Sequence, residues 1–157
     1  MNRIIARKEI GSLVKKLKRQ RKRVAFTNGV FDILHRGHVE YLAKARSYGD
    51  VLIVGLNSDA STRKLKGAKR PIQPQRDRAT ILSALESVDY VVIFSEETPE
   101  KLIMQIHPDV LVKGSEYAIR QIVGAEFVKS YGGSVRRVKM VAGRSSTTVI
   151  KKLELIF

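Results

Sequence analysis

The sequence predicts an α/β fold in which helices cover both faces of a doubly wound parallel sheet. Two observations lead to this prediction. Apolar runs rich in β-branched residues alternate along the chain with stretches whose apolar residues recur at helical spacing. The runs are almost continuously apolar, as strands are when both faces of a sheet are covered. No linker or repeat interrupts the alternation, so the 157 residues are expected to form a single three-layer domain.

Five segments are predicted as strands, and a basic helical lead-in over residues 1–23 precedes the first of them. In a Rossmann-like doubly wound sheet, five such strands take the order 3-2-1-4-5. The predicted strands are residues 24–28, 51–57, 90–94, 109–114 and 134–140, and the predicted helices between and after them are 38–50, 76–89, 98–109, 121–133 and 147–157.

One segment, residues 58–78, breaks this alternation. It is polar, basic and proline-containing, and it is too long for an ordinary connection of a few residues between a strand and a helix. We interpret it as a long loop at the carboxyl end of a strand, where loops usually bind something. The alternative is an irregular surface excursion.

The charge of the chain is unusual, with a formal net charge of +15 and a concentration of basic residues at positions 15–23. Such charge is typical of nucleic-acid-binding proteins and also of enzymes that act on small polyanions. Because residues 15–23 contain no aromatic side chain for base stacking, a solvated helix face is favoured. The lack of cysteine excludes thiol nucleophiles, and no apolar run of about 18 residues could span a bilayer, so a cytoplasmic protein is expected.

The loops that carry the unusual polar residues are predicted to meet. In a doubly wound sheet, ligands bind outside the carboxyl ends of the strands, where the strand order reverses. That crevice lies here between the first and fourth predicted strands. The loops that reach it are residues 27–38 and 113–117, with residues 142–148 beside them.

Two of the three histidines, His35 and His38, flank Gly37 at a strand-to-helix turn. At this spacing they can face the same side and direct imidazole N–H donors at a phosphoryl group. Gly37 allows close approach of the backbone, and the free N–H groups of a helix start favour phosphate. A structural role and a metal pair are the alternatives, although no third ligand lies at the usual spacing.

Two further segments suggest phosphate binding. Ser146-Thr147-Thr148 precedes an apolar helix, where capping uses one hydroxyl and leaves the others for phosphate oxygens. Arg78 follows the long loop, where it can reach a polyphosphate or be an ordinary solvated arginine. His107 is interpreted as a turn residue.

These residues resemble a known family. The stretch TNGVFDILHRGH, with SSTT downstream, is similar to the cytidylyltransferase-like nucleotidyltransferases, whose H-x-G-H pair binds the triphosphate of a nucleotide. Within that superfamily, LKGAKRPIQPQRDR, VDYVVIFSEETPEKLI and PDVLVKGSEY resemble the adenylyltransferase domain of bacterial ADP-heptose synthase. The similarity covers nearly the whole chain.

The resemblance implies transfer of AMP from ATP to D-glycero-β-D-manno-heptose 1-phosphate, which gives pyrophosphate and ADP-heptose for the lipopolysaccharide inner core. Mg²⁺ is expected to accompany ATP, and no metal ligand is expected in the protein itself. Many relatives join this domain to a sugar kinase, so a separate heptose 7-phosphate kinase is expected as a pathway partner. A homodimer is considered, whereas a membrane or a specific nucleic acid is not expected as a partner.

The resemblance also implies roles for individual residues. His35 and His38 are expected to donate hydrogen bonds to the reacting phosphate. Contacts with ATP are expected from Thr27, Asn28, Gly29, Val30, Phe31, Gly37, Asn57, Arg78, Lys113, Gly114, Ser146, Thr147 and Thr148. Contacts with the sugar phosphate are expected from Asp32, Asp59, Lys64, Lys66, Glu116 and Tyr117.

Some alternatives stay open. Arg144 stands where related enzymes tend to have glycine, which leaves the local phosphate geometry undetermined. A glycerol-3-phosphate cytidylyltransferase or an FAD-synthetase-like enzyme of the same fold is the nearest alternative, although LKGAKRP and VKGSEY resemble the heptose enzyme more closely. A basic nucleic-acid-binding module is a remote alternative from a different class.

Overall fold

The fold is built on one parallel sheet, seen in a computed structural model that describes residues 3–141 and 145–156. The strands are β1 Ile4–Ile5, β2 Val24–Gly29, β3 Val51–Asn57, β4 Tyr90–Phe94, β5 Val110–Gly114 and β6 Ser134–Val138. The helices are α1 Ile10–Arg19, α2 Arg36–Arg46, α3 Asp59–Lys66, α4 Gln75–Ala84, α5 Glu100–Ile106, α6 Ala125–Ser130 and α7 Ser146–Glu154.

The sheet has six strands in the order β1-β4-β3-β2-β5-β6, and all neighbouring strands are parallel. The predicted parallel α/β class is therefore confirmed, but the predicted count of five and the order 3-2-1-4-5 are incomplete. The five predicted strands keep their order relative to one another, and β1 is added at the outer edge of β4 through Ile4↔Val91 and Ile5↔Val92. A strand of two residues carries no periodicity that a sequence could display.

The prediction of one long loop over residues 58–78 is wrong. The segment contains α3 and the first turn of α4, and only residues 67–74 between them are irregular. The residues of α3 that are buried are Ser61 and Thr62, so this helix shows no apolar stripe. Helical periodicity of apolar residues therefore could not reveal it.

Helices cover both faces of the sheet, as predicted. One core cluster joins α1, α5 and α6 to one face, and the other joins α2 and α4 to the opposite face. All seven residues of β3 are buried, because this strand lies inside the sheet with both faces covered. No helix of residues 3–141 or 145–156 is long and apolar enough to cross a membrane.

The pairing between β2 and β5 is short. β2 pairs with β3 from Val24↔Val51 to Gly29↔Leu56, whereas β2 and β5 are registered only at Ala25↔Val110 and Phe26↔Leu111. Beyond these pairs the carboxyl ends of β2 and β5 are not joined by registered pairs. This is the strand pair at which the predicted crevice was expected.

Candidate active site

A cavity of about 440 Å³ lies at the carboxyl ends of β2 and β5. Its walls come from the segment after β2, the segment after β5, the end of α3 with the loop that follows it, and the start of α7. The loops that the sequence predicted to meet therefore do meet here.

Most of the predicted site residues line this cavity. They are Asn28, Gly29, Val30, Phe31, Asp32, His35, His38, Lys66, Lys113, Gly114, Glu116, Tyr117, Ser146 and Thr147. The structure does not place the remaining ones in the lining, and these are Thr27, Gly37, Asn57, Asp59, Lys64, Arg78 and Thr148.

His35 and His38 occupy the N-cap and the third position of α2. These positions are neighbours on one side of a helix start, and the two rings stack with their centroids 3.9 Å apart. The ring of Phe31 packs edge-on against His38, with 5.3 Å between the centroids. The H-x-G-H spacing therefore places two imidazoles side by side at the N-terminus of α2, where they line the cavity.

The stacked pair changes the protonation of His38. Burial, followed by the charge of His35, lowers the pKa of His38 to about 4. The imidazole of His38 is therefore neutral at pH 7, and a neutral imidazole donates through one nitrogen only. Its Nδ1 atom is buried and has no hydrogen-bond partner among the residues that the structure describes.

The start of α2 also offers backbone donors. The first bond within the helix is donated by the amide of His38 to the carbonyl of His35, so the amides of Arg36 and Gly37 precede it. Such amides and the helix macrodipole favour an anion at this end. Gly37 contributes through its backbone, since it is buried within the first turn.

The start of α7 differs from the prediction that Ser146-Thr147-Thr148 precede the helix and that one of them caps it. The N-cap is Ser145, whose hydroxyl accepts a hydrogen bond from the amide of Thr148 at 3.0 Å and shares another with the Thr148 hydroxyl at 2.8 Å. Thr148 therefore faces its own cap, and Ser146 donates to the carbonyl of Ile33 at 3.0 Å. Because residues 145–148 all carry hydroxyl groups, the sequence alone did not show which of them is the N-cap. Arg144, the residue in question before this run, lies outside the described residues.

Lys113 joins the two sides of the cavity. Its Nζ donates to the backbone carbonyl and side-chain oxygen of Asn28, at 3.3 and 3.1 Å, and lies 5.6 Å from the centre of the Tyr117 ring. Burial lowers the pKa of Lys113 to about 8, although the nearby Glu116 raises it in part. The carboxylate of Glu116 lies where a Cβ atom on Gly114 would be, so a larger residue there would require the flexible side chain of Glu116 to move.

Arg78 is placed differently from its prediction. Its side chain is buried, and its guanidinium donates to the carbonyls of Gln73, Val30 and Asn57 and to the carboxylate of Asp59. Arg78 does not line the cavity, and its hydrogen bonds instead join the end of β3 to the segment after β2. Asn57 and Asp59 accept hydrogen bonds from Arg78 and do not line the cavity.

Asp32 lines the cavity but has its own partners. Its carboxylate accepts hydrogen bonds from Arg70 Nε at 2.6 Å and from the amides of Ile72 and Gln73. Burial raises the pKa of Asp32, but these hydrogen bonds and the charge of Arg70 outweigh it, so the pKa lies below its ordinary value. Asp32 therefore fixes the loop after α3 in place.

Sequence reasoning missed several lining residues, namely Tyr41, Leu65, Arg70, Met140 and Ser145. Tyr41 lies three residues after His38 on the same helix face, a signal that was available, and its hydroxyl pairs with that of the buried Thr27 at 2.8 Å. Lys64 instead forms an exposed ion pair with Glu97 outside the cavity. Among the described residues, no group of three or more histidine or carboxylate side chains could hold a metal ion.

The chain is similar in sequence to known proteins. The model of the cytidylyltransferase-like family matches residues 26–152. The chain is 59% identical over 136 residues to the bifunctional protein HldE of Geobacter sulfurreducens, covering 87% of this chain and 28% of that protein. It is 53% identical over 152 residues to HldE of Wolinella succinogenes, covering 97% of this chain and 31% of that protein. The chain thus spans under a third of the length of these curated relatives.

Two solved structures have similar folds. The lipopolysaccharide core biosynthesis protein of Thermoplasma volcanium superposes with a TM-score of 0.62 at 28% identity, covering 76% of this chain and 97% of that one. The pantoate-β-alanine ligase of Francisella tularensis superposes with a TM-score of 0.63 at 17% identity, covering 97% of this chain and 77% of that one. At 17% identity, the second likeness concerns the fold alone.

Proposed function

The chain belongs to the cytidylyltransferase-like family, and from that premise we propose that it transfers AMP from ATP to D-glycero-β-D-manno-heptose 1-phosphate. The observation that carries the chemistry is the stacked pair of His35 and His38 at the start of α2, where it lines the cavity. The choice of acceptor rests on the similarity to HldE proteins over most of this chain.

The proposed reaction needs no general base. The acceptor is a phosphate monoester, whose second pKa of about 6 leaves an anionic oxygen at neutral pH. This oxygen attacks the α-phosphorus of ATP in line, the new oxygen–phosphorus bond forms, and the bond to the bridging oxygen breaks as pyrophosphate leaves. Catalysis is then positioning and charge stabilisation.

The residues of the cavity suit these tasks. His38, neutral at pH 7, donates one hydrogen bond to the reacting phosphoryl group, and His35 donates beside it. The amides at the start of α2, with the start of α7 beside them, bind the remaining phosphate oxygens. Lys113 adds positive charge from the opposite wall. Glu116, Tyr117 and Lys66 are left for the nucleoside or the sugar phosphate.

Mg²⁺ is expected to accompany ATP, bound to its triphosphate, and would there supply positive charge that offsets the negative charge of the phosphates. Asp32 is already engaged by Arg70 and two amides, so a cation held mainly by phosphate oxygens suits this cavity better than one held by a protein cage. The acceptor would come from a heptose 7-phosphate kinase, and the protein would act in the cytoplasm, where ATP is available. A homodimer stays a prediction.

The test is pyrophosphate release with a panel of nucleoside triphosphates and sugar phosphates. We expect turnover with ATP and heptose 1-phosphate and little with glycerol 3-phosphate, whose smaller body would leave polar groups of the pocket unpaired. Comparable turnover with CTP would overturn the adenine assignment. Turnover with CTP and glycerol 3-phosphate alone would support the second candidate, a cytidylyltransferase, which the family match makes the nearest alternative.

A further inference from the structure

A second cavity, of about 550 Å³, lies at the amino ends of β2, β5 and β6, opposite the first cavity. Its walls are the turn after α1, the residues before and at the start of β5, and the turn that leads into β6. The six residues of β2 span the sheet between the two cavities, which places them roughly 20 Å apart at about 3.3 Å per residue. The proposed function makes no use of this second cavity, which we call the basic cavity.

The basic cavity carries uncompensated positive charge. Lys18, Arg21, Lys22 and Arg23 line it, and the side chains of the last three form no hydrogen bond or ion pair with any residue that the structure describes. The one carboxylate in the lining, Asp109, already accepts a hydrogen bond from the amide of Val24 at 2.7 Å.

The neutral groups of this cavity are donors as well. Lys18 Nζ lies 3.3 Å from Nδ1 of His107, and an ammonium group can only donate, so Nδ1 accepts and Nε2 carries the proton. The hydroxyl of Ser134 is buried and has no hydrogen-bond partner within the described part of the chain. A cavity lined by four cationic side chains and one carboxylate has the charge of an anion site.

The negative ends of nearby helices compensate only part of this positive charge. α1, α5 and α6 all end at this edge, and each end carries about half a negative charge. Lys18 answers one of them directly, because its Nζ donates to the carbonyl of His107 at the end of α5 at 3.0 Å. Arg21, Lys22 and Arg23 make no such contact with any residue that the structure describes, so these protein groups do not neutralise their charge.

We propose that the basic cavity binds a small, multiply charged phosphate compound, of the class of oligophosphates and phosphate esters. Its volume lies within the range of about 300–1,000 Å³ that small-molecule sites occupy. A single-stranded nucleic acid is less suited to it. The rings of His107 and Tyr131 stack on each other and Phe127 packs edge-on against both, so they do not stand apart as a base-stacking surface. This proposal does not depend on the reaction at the first cavity.

The test is a titration of the isotopically labelled full chain with inorganic tripolyphosphate, followed by NMR in about 0.15 M salt without divalent metal. The amides of Gly132 and Gly133 report on the basic cavity, and the amide of Gly114 reports separately on the first cavity. We expect saturable shifts at Gly132 and Gly133 with a Kd of about 1 mM or lower.

Two double variants, each removing two exposed charges from the same basic segment, provide the control. Lys22→Gln with Arg23→Gln removes charges that line the basic cavity, and should weaken binding there by about tenfold or more while leaving the response of Gly114 unchanged. Lys15→Gln with Lys16→Gln removes charges outside its lining, and should weaken binding by less than about threefold. All four side chains are exposed, so both variants should keep the amide spectrum of the folded protein.

Three outcomes would overturn the proposal. The first is a linear, unsaturated response at Gly132 and Gly133 up to about 10 mM tripolyphosphate. The second is equal weakening by the two double variants, which would indicate attraction to net charge alone. The third is tighter binding of a single-stranded oligonucleotide than of tripolyphosphate at the same amides, which would assign the cavity to a polymer.

Discussion

A stacked ring pair that contains histidine lies at the carboxyl ends of the strands, and another lies at their amino ends. His35 and His38 stack at 3.9 Å at the start of α2, and His107 stacks on Tyr131 at 3.5 Å after the end of α5. The first pair lines the first cavity at a positive helix end, whereas His107, which lines the basic cavity, accepts a hydrogen bond from Lys18 at a negative helix end.

Similar ring stacking thus occurs at helix ends of opposite polarity. A helix start surrounds a histidine with N–H donors and attracts anions, while a helix end surrounds it with carbonyls and attracts cations. His107 also adopts the left-handed conformation that ends α5, with φ of 52°. At a helix start the backbone supplies part of the positive charge that a phosphate needs, whereas at a helix end, as at His107, lysine and arginine side chains must supply all of it.

The largest expected effect tests the catalytic half of this comparison. Replacing His35 or His38 with alanine should lower kcat by roughly 10²–10³, by analogy with the loss of an oxyanion donor. Pyrophosphate release measures kcat, and thermal unfolding of the same samples should change little. Arg36→Ala is the control, because Arg36 forms an exposed ion pair with Glu40 and should retain most activity. A near-normal kcat in His38→Ala would contradict the proposed mechanism.

Lys113 sharpens the comparison by adding the charge that the neutral His38 lacks. Because the pKa of Lys113 is lowered to about 8, its positive charge is lost as the pH rises through 8, and kcat/KM should fall over that range. Lys113→Arg should move this fall to higher pH, and Lys113→Met should remove it while lowering kcat/KM at pH 7 by about tenfold. Lys64→Met, outside the cavity, should leave the profile intact. An unchanged profile in Lys113→Met would assign the fall to another group.

The lowered pKa of His38 also predicts a cost in stability. In the unfolded chain this histidine binds a proton below about pH 6.5, while in the folded protein it resists protonation until about pH 4. Stability is therefore lost as the pH falls between these values, by about 1–2 kcal/mol at pH 5. Denaturant unfolding at pH 7 and pH 5 should show this loss in the natural chain and a smaller one in His38→Ala. Equal losses in both would show that His38 is not the group responsible.

The smallest effect is expected at His107. Replacing it with alanine removes the stacking on Tyr131 and leaves a residue that tolerates the left-handed conformation poorly, so the free energy of unfolding should fall by about 1 kcal/mol. His107→Asn should lose less, since asparagine accepts that conformation. Both variants should keep normal kcat, and a fall in kcat would remove the distinction between the two ring pairs.

Features that depend on periodicity or on strand ends were predictable from the sequence. The parallel α/β class and the meeting of the segments after β2 and β5 follow from apolar runs and from the position of polar residues after them. The stacked histidines follow from a spacing of three at a helix start. These signals are local, and the fold brings them together by a general rule.

What failed depends on contacts that no local pattern encodes. Burial of Arg78 against three carbonyls and Asp59 requires partners that the chain supplies from distant segments, although its position one turn before the buried Leu82 was an available hint. The helix α3 was missed because its buried face is polar. Ser145 was missed because four consecutive hydroxyl residues are equivalent as caps until the chain around them is placed.

Apart from the two-residue edge strand β1, the sheet has its shortest strand pairing between β2 and β5. Besides the core packing, two registered residue pairs, the hydrogen bond from the Tyr41 hydroxyl to the carbonyl of Val112 and those from Lys113 to Asn28 join the part that carries the histidines to the part that carries Lys113. We expect the two parts to breathe about this pairing, with amides at Val110 and Leu111 exchanging with solvent sooner than those of β3. The width of the cleft would then depend on this short pairing between β2 and β5, so that opening for product release needs no separate lid.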